Sequence, residues 1–191
     1  NTSSIELYQF HRHDPSVTYT EQMLSLKALK DAGMVKRIGL SNAQGPELAV
    51  ALEILGGPND GGVVSIQNEY SPRYRGEQDV LDKCSDLGIA FLPWSPLGGA
   101  AQAGEVGSRY SDFASVATEV GATAQEVVLA WLLALTPVMI PIPGATKPAT
   151  VDSIIRASAL KLTSLQVERL TAADSPNESL FPDLKPRSPL R

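Results

Sequence analysis

Short apolar runs and helical patterns alternate along this chain, and each apolar run ends on residues chosen for chemistry rather than for a turn. Runs at residues 5–10, 35–40, 63–68, 89–94 and 138–142 are apolar on both faces; helical patterns occupy 21–32, 46–55, 77–87, 111–135, 148–159 and 164–173. In the first helix Met23, Leu24, Leu26, Ala28 and Leu29 keep the 3.6-residue period up to Gly33, and Thr163 stands as the N-cap of the last. Five strands buried on both faces and separated by helices predict a parallel sheet of right-handed βαβ units.

Two α/β architectures satisfy that order, an open doubly wound sheet and part of a (β/α)8 TIM barrel. The run ends carry His11, Ser41-Asn42, Gln67, Trp94-Ser95 and Gly144-Ala-Thr-Lys147. A barrel gathers all strand ends around one mouth, whereas an open sheet uses mainly its switch point. No G-x-G-x-x-G follows any strand, so the barrel is the expectation, with about five β/α units here.

Bulk properties narrow the partners. A formal charge of −5 without a Lys/Arg cluster gives no footprint for nucleic acid. No apolar run is long enough for a membrane span, and Cys84 is the single cysteine, which together make the cytoplasm the expected compartment. Cys84 falls in line with Val80, Leu81 and Leu87 on a helix, the setting of a packed, unreactive thiol.

Leu7-Tyr-Gln-Phe-His-Arg-His-Asp14, Gly39-Leu-Ser-Asn42, Gln67-Asn-Glu-Tyr-Ser71, Trp94-Ser-Pro-Leu-Gly98, Leu129-Ala-Trp-Leu132 and Ile142-Pro-Gly144 follow one another at a spacing of one βα unit. In this order they resemble the aldo-keto reductases from the fourth barrel strand onward, over roughly residues 5–174. The resemblance implies an NADPH-dependent oxidoreductase that reduces a small aldehyde or ketone to an alcohol. His11 matches the catalytic histidine. Ser41, Asn42 and Gln67 match contacts to the nicotinamide carboxamide, and Trp94 a face for the ring. Ser95, Pro96, Leu97 and Gly98 match the pyrophosphate turn, while Gly144, Thr146 and Lys147 hold the adenosine-side phosphate of NADP(H).

Elementary chemistry agrees with these roles. A nicotinamide must be held flat beside its substrate, for which an indole and side-chain amides are suited. A glycine turn allows backbone N–H groups to approach a phosphate, and Pro148 opens a helix whose N-terminus favours anions. The same residues also fit plainer duties: Ser41-Asn42 as an N-cap, Trp94 in a core, Lys147 as a solvated surface charge. His11-Arg-His13 also resembles the H-x-H of barrel metal hydrolases, although no other histidine is present and the later run ends carry Ser, Asn, Gln and Trp. A regulatory subunit that keeps the cofactor site without catalysis is a further alternative.

The chain departs from the family pattern in three places. The Asp, Tyr and Lys of the family's tetrad have no counterpart among these residues, so the chain is expected to be inactive alone and to close its barrel with a missing segment or another chain. Ile154 stands where an asparagine usually contacts the adenine, and the loop at 99–110 is short and rich in Ala and Gly. Residues 1–174 are expected to form one domain and 175–191, with Pro176, Pro182, Pro186 and Pro189, a tail over the mouth or a frayed end.

Overall fold

A computed structural model describes residues 3–182 and 189–191, so the 183–188 part of the expected tail lies outside the described residues. The described residues fall into two compact units. The first takes the residues up to Asn68, Glu77–Leu92 and those from Phe181 onward; the second takes Glu69–Gly76 and Pro93–Leu180.

In the first unit four parallel strands, β1 (Tyr8–Phe10), β2 (Ile38–Ser41), β3 (Val63–Gln67) and β4 (Ala90–Phe91), lie side by side in chain order. The helices between them are α1 (Tyr19–Asp31), α2 (Gly45–Leu55) and α3 (Gln78–Leu87). The order never reverses, so right-handed crossovers put all three helices on one face, as in a barrel wall and unlike a doubly wound sheet. All four β2 residues are buried, as a strand covered on both faces requires.

A polar layer crosses this sheet. Gln9, Gly39 and Ser65 are partners in register across β1, β2 and β3, and a register shift between Ile38 and Gly39 brings Ser65 into line. Gly39 lacks the Cβ that would stand 1.9 Å from Gln9 Oε1, so the Gln9 side chain passes over it and donates Nε2–H to Ser65 Oγ at 3.0 Å.

Helix ends follow sequence chemistry. Thr18, Thr123 and Thr163 each accept from the amide three residues on, and Glu21, Glu126 and Gln166 reach back to complete the capping boxes. At α1 the first two amides are also satisfied: Tyr19 N–H donates to Pro189 O at 2.8 Å and Thr20 N–H to Leu190 O at 3.2 Å. That end of the tail therefore caps a helix.

The second unit holds α4 (Val106–Arg109), α5 (Ser111–Val120), α6 (Ala124–Leu135), α7 (Pro148–Ala159) and α8 (Ser164–Ala172). Trp131 of α6 is its centre, stacked on Tyr70 at 6.2 Å, edge-on to Phe113 at 5.3 Å, and donating Nε1–H to Thr171 Oγ1 at 3.0 Å. Arg75 lies 4.9 Å over the Trp131 ring and donates to the Thr171 and Leu170 carbonyls that end α8. Among the described residues no helix is long and apolar enough to cross a membrane.

The expected fifth strand is corrected. Residues 138–142 form no strand; Ile142 N–H donates to Pro93 O at 3.4 Å. Pro141 lacks an amide inside this stretch and Pro137 and Pro143 lack one at its two edges, which disfavours a regular ladder. The short loop at 99–110 contains α4.

Two outcomes test these packing statements. Gly39→Ala should cost about 1–3 kcal/mol in urea unfolding, and Gln9→Ala in the same background should cost less than the sum of the two single changes. Burial pushes the Glu126 carboxyl up, but the Thr123 amide, Ser153 and Thr123 hydroxyls and Arg156 guanidinium outweigh it and hold it below the ordinary 4.5. A depressed carboxyl stabilises the fold above its unfolded pKa and loses that contribution as the pH falls through the folded value. The urea midpoint should therefore fall less steeply below about pH 4 in Glu126→Gln than in the unaltered chain.

Candidate active site

The ends of three strands are joined in the first unit. β1 leads into His11, whose carbonyl accepts from Asn42 Nδ2 at 3.1 Å. Ser41 Oγ donates to the Gln67 carbonyl at 2.7 Å, and the Asn42 amide donates to the same oxygen at 3.1 Å. Asn42 has φ 59°, the left-handed conformation that asparagine tolerates better than most residues. His11, Ser41, Asn42 and Gln67 thus form one cluster of strand tips, with the His11 residue exposed and Ser41 buried.

Ser41 and Asn42 spend donors on this framework. The Ser41 hydroxyl hydrogen is committed to Gln67, and Asn42 Nδ2 is shared between the His11 carbonyl and Ser41 Oγ at 3.1 Å. The N-cap duty expected as the plainer reading belongs elsewhere: Gln44 is the N-cap of α2, completed by Glu47.

His13, read from sequence as loop, points away from that chemistry. Its Nδ1 lies 3.4 Å from Glu47 Oε1 at the start of α2, with both side chains nearly buried, and its ring meets Tyr19 edge-on at 6.3 Å. The two histidines of the H-x-H pattern differ in surroundings, one exposed and the other packed against a carboxylate. Among the described residues no group of three or more His, Cys, Asp or Glu side chains is gathered for a metal ion.

The second unit contributes a cavity of about 460 Å³. One wall is the turn after Trp94: Ser95, Pro96 and Leu97, then Gly99 and Ala100. The Gly98 amide donates to the Ser95 carbonyl at 2.9 Å, and Ser95, Gly98 and Gly99 have φ of 49°, 80° and 95°. Glycine meets those angles without strain at two of the three positions. The opposite wall is Ile142, Pro143, Gly144, Thr146 and Thr150, leading into α7, whose N-terminus is pre-set by Pro148. Trp94 is half-buried and pairs with Glu69 in an isolated parallel bridge.

Within this unit three expected contacts stand outside that lining, Trp94 among them. Gly98 shapes the turn without facing the cavity, and Lys147 is the exposed N-cap of α7. Residues that sequence reasoning passed over, Ala103 and Thr150 among them, line it instead. A second cavity of about 380 Å³ shares Leu97, Ala103, Pro143, Gly144 and Thr150 with the first and adds Gln125, Ser153 and Ile154. Ile154, where the chain departs from the family pattern, therefore lines a pocket. Cys84 is fully buried and its thiol is pushed up to about 12 by burial, as expected of an unreactive core cysteine.

The walls suit a dinucleotide. The hydroxyl-bearing Ser95, Thr146 and Thr150 line the first cavity together with apolar Leu97, Ile142 and Pro143, a mixture that can hold ribose and phosphate beside a flat base.

Comparison with known proteins agrees. An uncharacterized oxidoreductase of Schizosaccharomyces pombe is 32% identical over 162 residues, which is 84% of this chain and 49% of that protein. Pyridoxine 4-dehydrogenase of Escherichia coli is 34% identical over 152 residues, 79% of this chain and 49% of that protein. The chain thus spans about half the length of the curated relatives it matches. Among solved structures, an aldo-keto reductase from a Medee basin deep-sea metagenome library aligns with TM-score 0.78 at 19% identity, over 97% of this chain and 64% of its own. An aldo-keto reductase from Klebsiella pneumoniae in complex with NADPH aligns with TM-score 0.72 at 21% identity, over 88% and 58%. These two show the fold, and the model of the Aldo/keto reductase family matches residues 1–175. The chain belongs to the aldo/keto reductase family.

Proposed function

We propose that the protein reduces a small aldehyde or ketone to an alcohol with NADPH. The observation that carries this reading is the 460 Å³ cavity, whose walls come from two motifs some distance apart in the chain, Ser95-Pro-Leu97 and Gly144-Ala-Thr146. Further support comes from the relatives, which are named as an oxidoreductase and a dehydrogenase, and from the NADPH held by the Klebsiella neighbour.

The bound nicotinamide supplies hydride to the carbonyl carbon, and the oxygen takes up a proton. His11 carries its imidazole on an exposed strand tip, where an N–H can hydrogen-bond the carbonyl oxygen and orient it as negative charge develops. The tie from Asn42 to the His11 carbonyl limits how far that imidazole can stray. Within the first unit, the half-buried Gln67 side-chain amide beside Ser41 and Asn42 offers polar groups to the nicotinamide carboxamide. The backbone N–H groups of Ser95 and Leu97 receive the pyrophosphate and need no cation. Thr146 and Lys147, at the start of α7, receive the phosphate that distinguishes NADPH from NADH.

Two measurements test this. Lys147→Ala should weaken NADPH binding about tenfold while NADH binding stays within about twofold, the expectation for one charge-assisted phosphate contact. An equal loss for both cofactors, read by fluorescence titration, would remove Lys147 from the phosphate site. In the intact protein, His11→Gln should lower kcat for aldehyde reduction about a hundredfold with NADPH affinity unchanged. NADPH oxidation at the unaltered rate would exclude His11 from the chemistry.

A further inference from the structure

The motif that supplies Gln67 contains a second polar residue, Glu69, to which the reaction gives no task. Glu69 is buried, 4% exposed as a residue. It accepts Ser179 Oγ at 2.7 Å on one oxygen and the Leu180 amide at 2.9 Å on the other. Three more bonds hold the same strap, residues 175–180. Ser175 Oγ donates to the Arg73 carbonyl at 3.0 Å, Arg73 Nε to the Glu178 carbonyl at 2.9 Å, and the Arg75 amide to Asn177 Oδ1 at 3.0 Å. Asn177 bends the strap through φ 53°, so it follows the 69–75 segment closely.

The strap ends on the cavity wall. Leu180 seats its methyls on Gly99, where a Cβ would stand 3.0 and 3.2 Å from them. The Gly99 carbonyl accepts from the Gln102 and Ala103 amides at 3.1 and 2.9 Å, and Gly99, Ala100 and Ala103 all line the 460 Å³ cavity. A buried carboxylate thus fixes a side chain that bears on the phosphate-side turn. Interiors transmit such displacements because they are closely packed.

We propose that Glu69 and the 175–180 strap form a latch that fixes the width of this cavity, so that seating of the strap and binding of a phosphate-bearing adenosine group are coupled. The proposal rests on the cofactor reading above. Glu69 is a positioning residue: it acts through Leu180 and Gly99. By linkage the coupling is reciprocal, so a bound ligand holds the strap as much as the strap favours the ligand.

Adenosine 2′,5′-bisphosphate, which carries only the adenosine half with its phosphates, is the probe. Its binding is measured by calorimetry, and amide exchange of residues 176–180 by mass spectrometry, on the chain and on Glu69→Gln and Leu180→Ala. Each variant should bind about tenfold more weakly, and the double variant should lose little more than either alone, since one latch is broken. Saturating bisphosphate should slow exchange in the strap of the unaltered chain and not in Glu69→Gln. Leu180→Ala leaves Glu69 in place and serves if Glu69→Gln fails to fold. A merely structural Glu69 would lower the melting temperature without moving affinity or ligand-dependent exchange, and that result overturns the latch. If the unaltered chain fails to bind the bisphosphate, the cofactor reading falls and the latch with it; binding without any strap response removes the latch alone.

Discussion

A single left-handed asparagine organises the strand tips of the first unit. Parallel strands in chain order have no hairpin to set their ends level, and each tip would otherwise leave carbonyls facing solvent. Asn42 answers for three strands at once: its amide and the neighbouring Ser41 hydroxyl take the Gln67 carbonyl, while its side chain takes the His11 carbonyl. Few other side chains combine tolerance of positive φ with a short amide donor. Gly39 and Ser41 bring the chain to that point with little bulk while Leu40 packs into the core, so the Gly-Leu-Ser-Asn tetrapeptide behaves as one device.

Beneath the tips the sheet is held by a layer that works through a missing atom. Gln9 reaches Ser65 only because Gly39 leaves room between them, and the register shift at Ile38/Gly39 is what sets Ser65 opposite the gap. A buried amide needs partners, and the Nε2–H to Ser65 bond satisfies one of them inside the sheet. Backbone register and side-chain chemistry are therefore one constraint here. The glycine that sets the tip motif also sets the layer below it.

Helices were the legible part of the sequence, because their signals are local. Thr163 as an N-cap, Gly33 just past a helix end and Pro148 at a first turn mark ends that the structure keeps within a residue or two, whereas the 111–135 pattern is two helices broken at Gly121. Strands were less so. The 138–142 run has the apolar content of a strand, but its prolines remove donors, and donors matter only once a neighbour is in place. The site divided the same way. The tips carrying His11, Ser41, Asn42 and Gln67 could be read from run ends, and they meet. The partnership of His13 with Glu47, and of Glu69 with Ser179 and Leu180, joins residues far apart in sequence and of ordinary type, so no local pattern announces either.

The cavity in the second unit has a further physical consequence. A chain with formal charge −5 is a poor general attractor of a dinucleotide, and the cavity's lining contains no lysine or arginine. On the proposed reading the pyrophosphate is left to oriented backbone amides and hydroxyls, with Lys147 reserved for the adenosine-side phosphate, and such groups act only when the turn that carries them is held in one shape. Preorganisation replaces charge, and that makes the conformation of the 95–99 turn the quantity on which binding depends. Ser95 and Gly98 are tied by their own hydrogen bond, Gly99 by the start of the next helical turn and by the Leu180 seat. A pyrophosphate site built in this way should be selective by geometry and weakly sensitive to salt, unlike the Lys147 contact or a cluster of cations, whose attraction is screened over about 10 Å at moderate ionic strength.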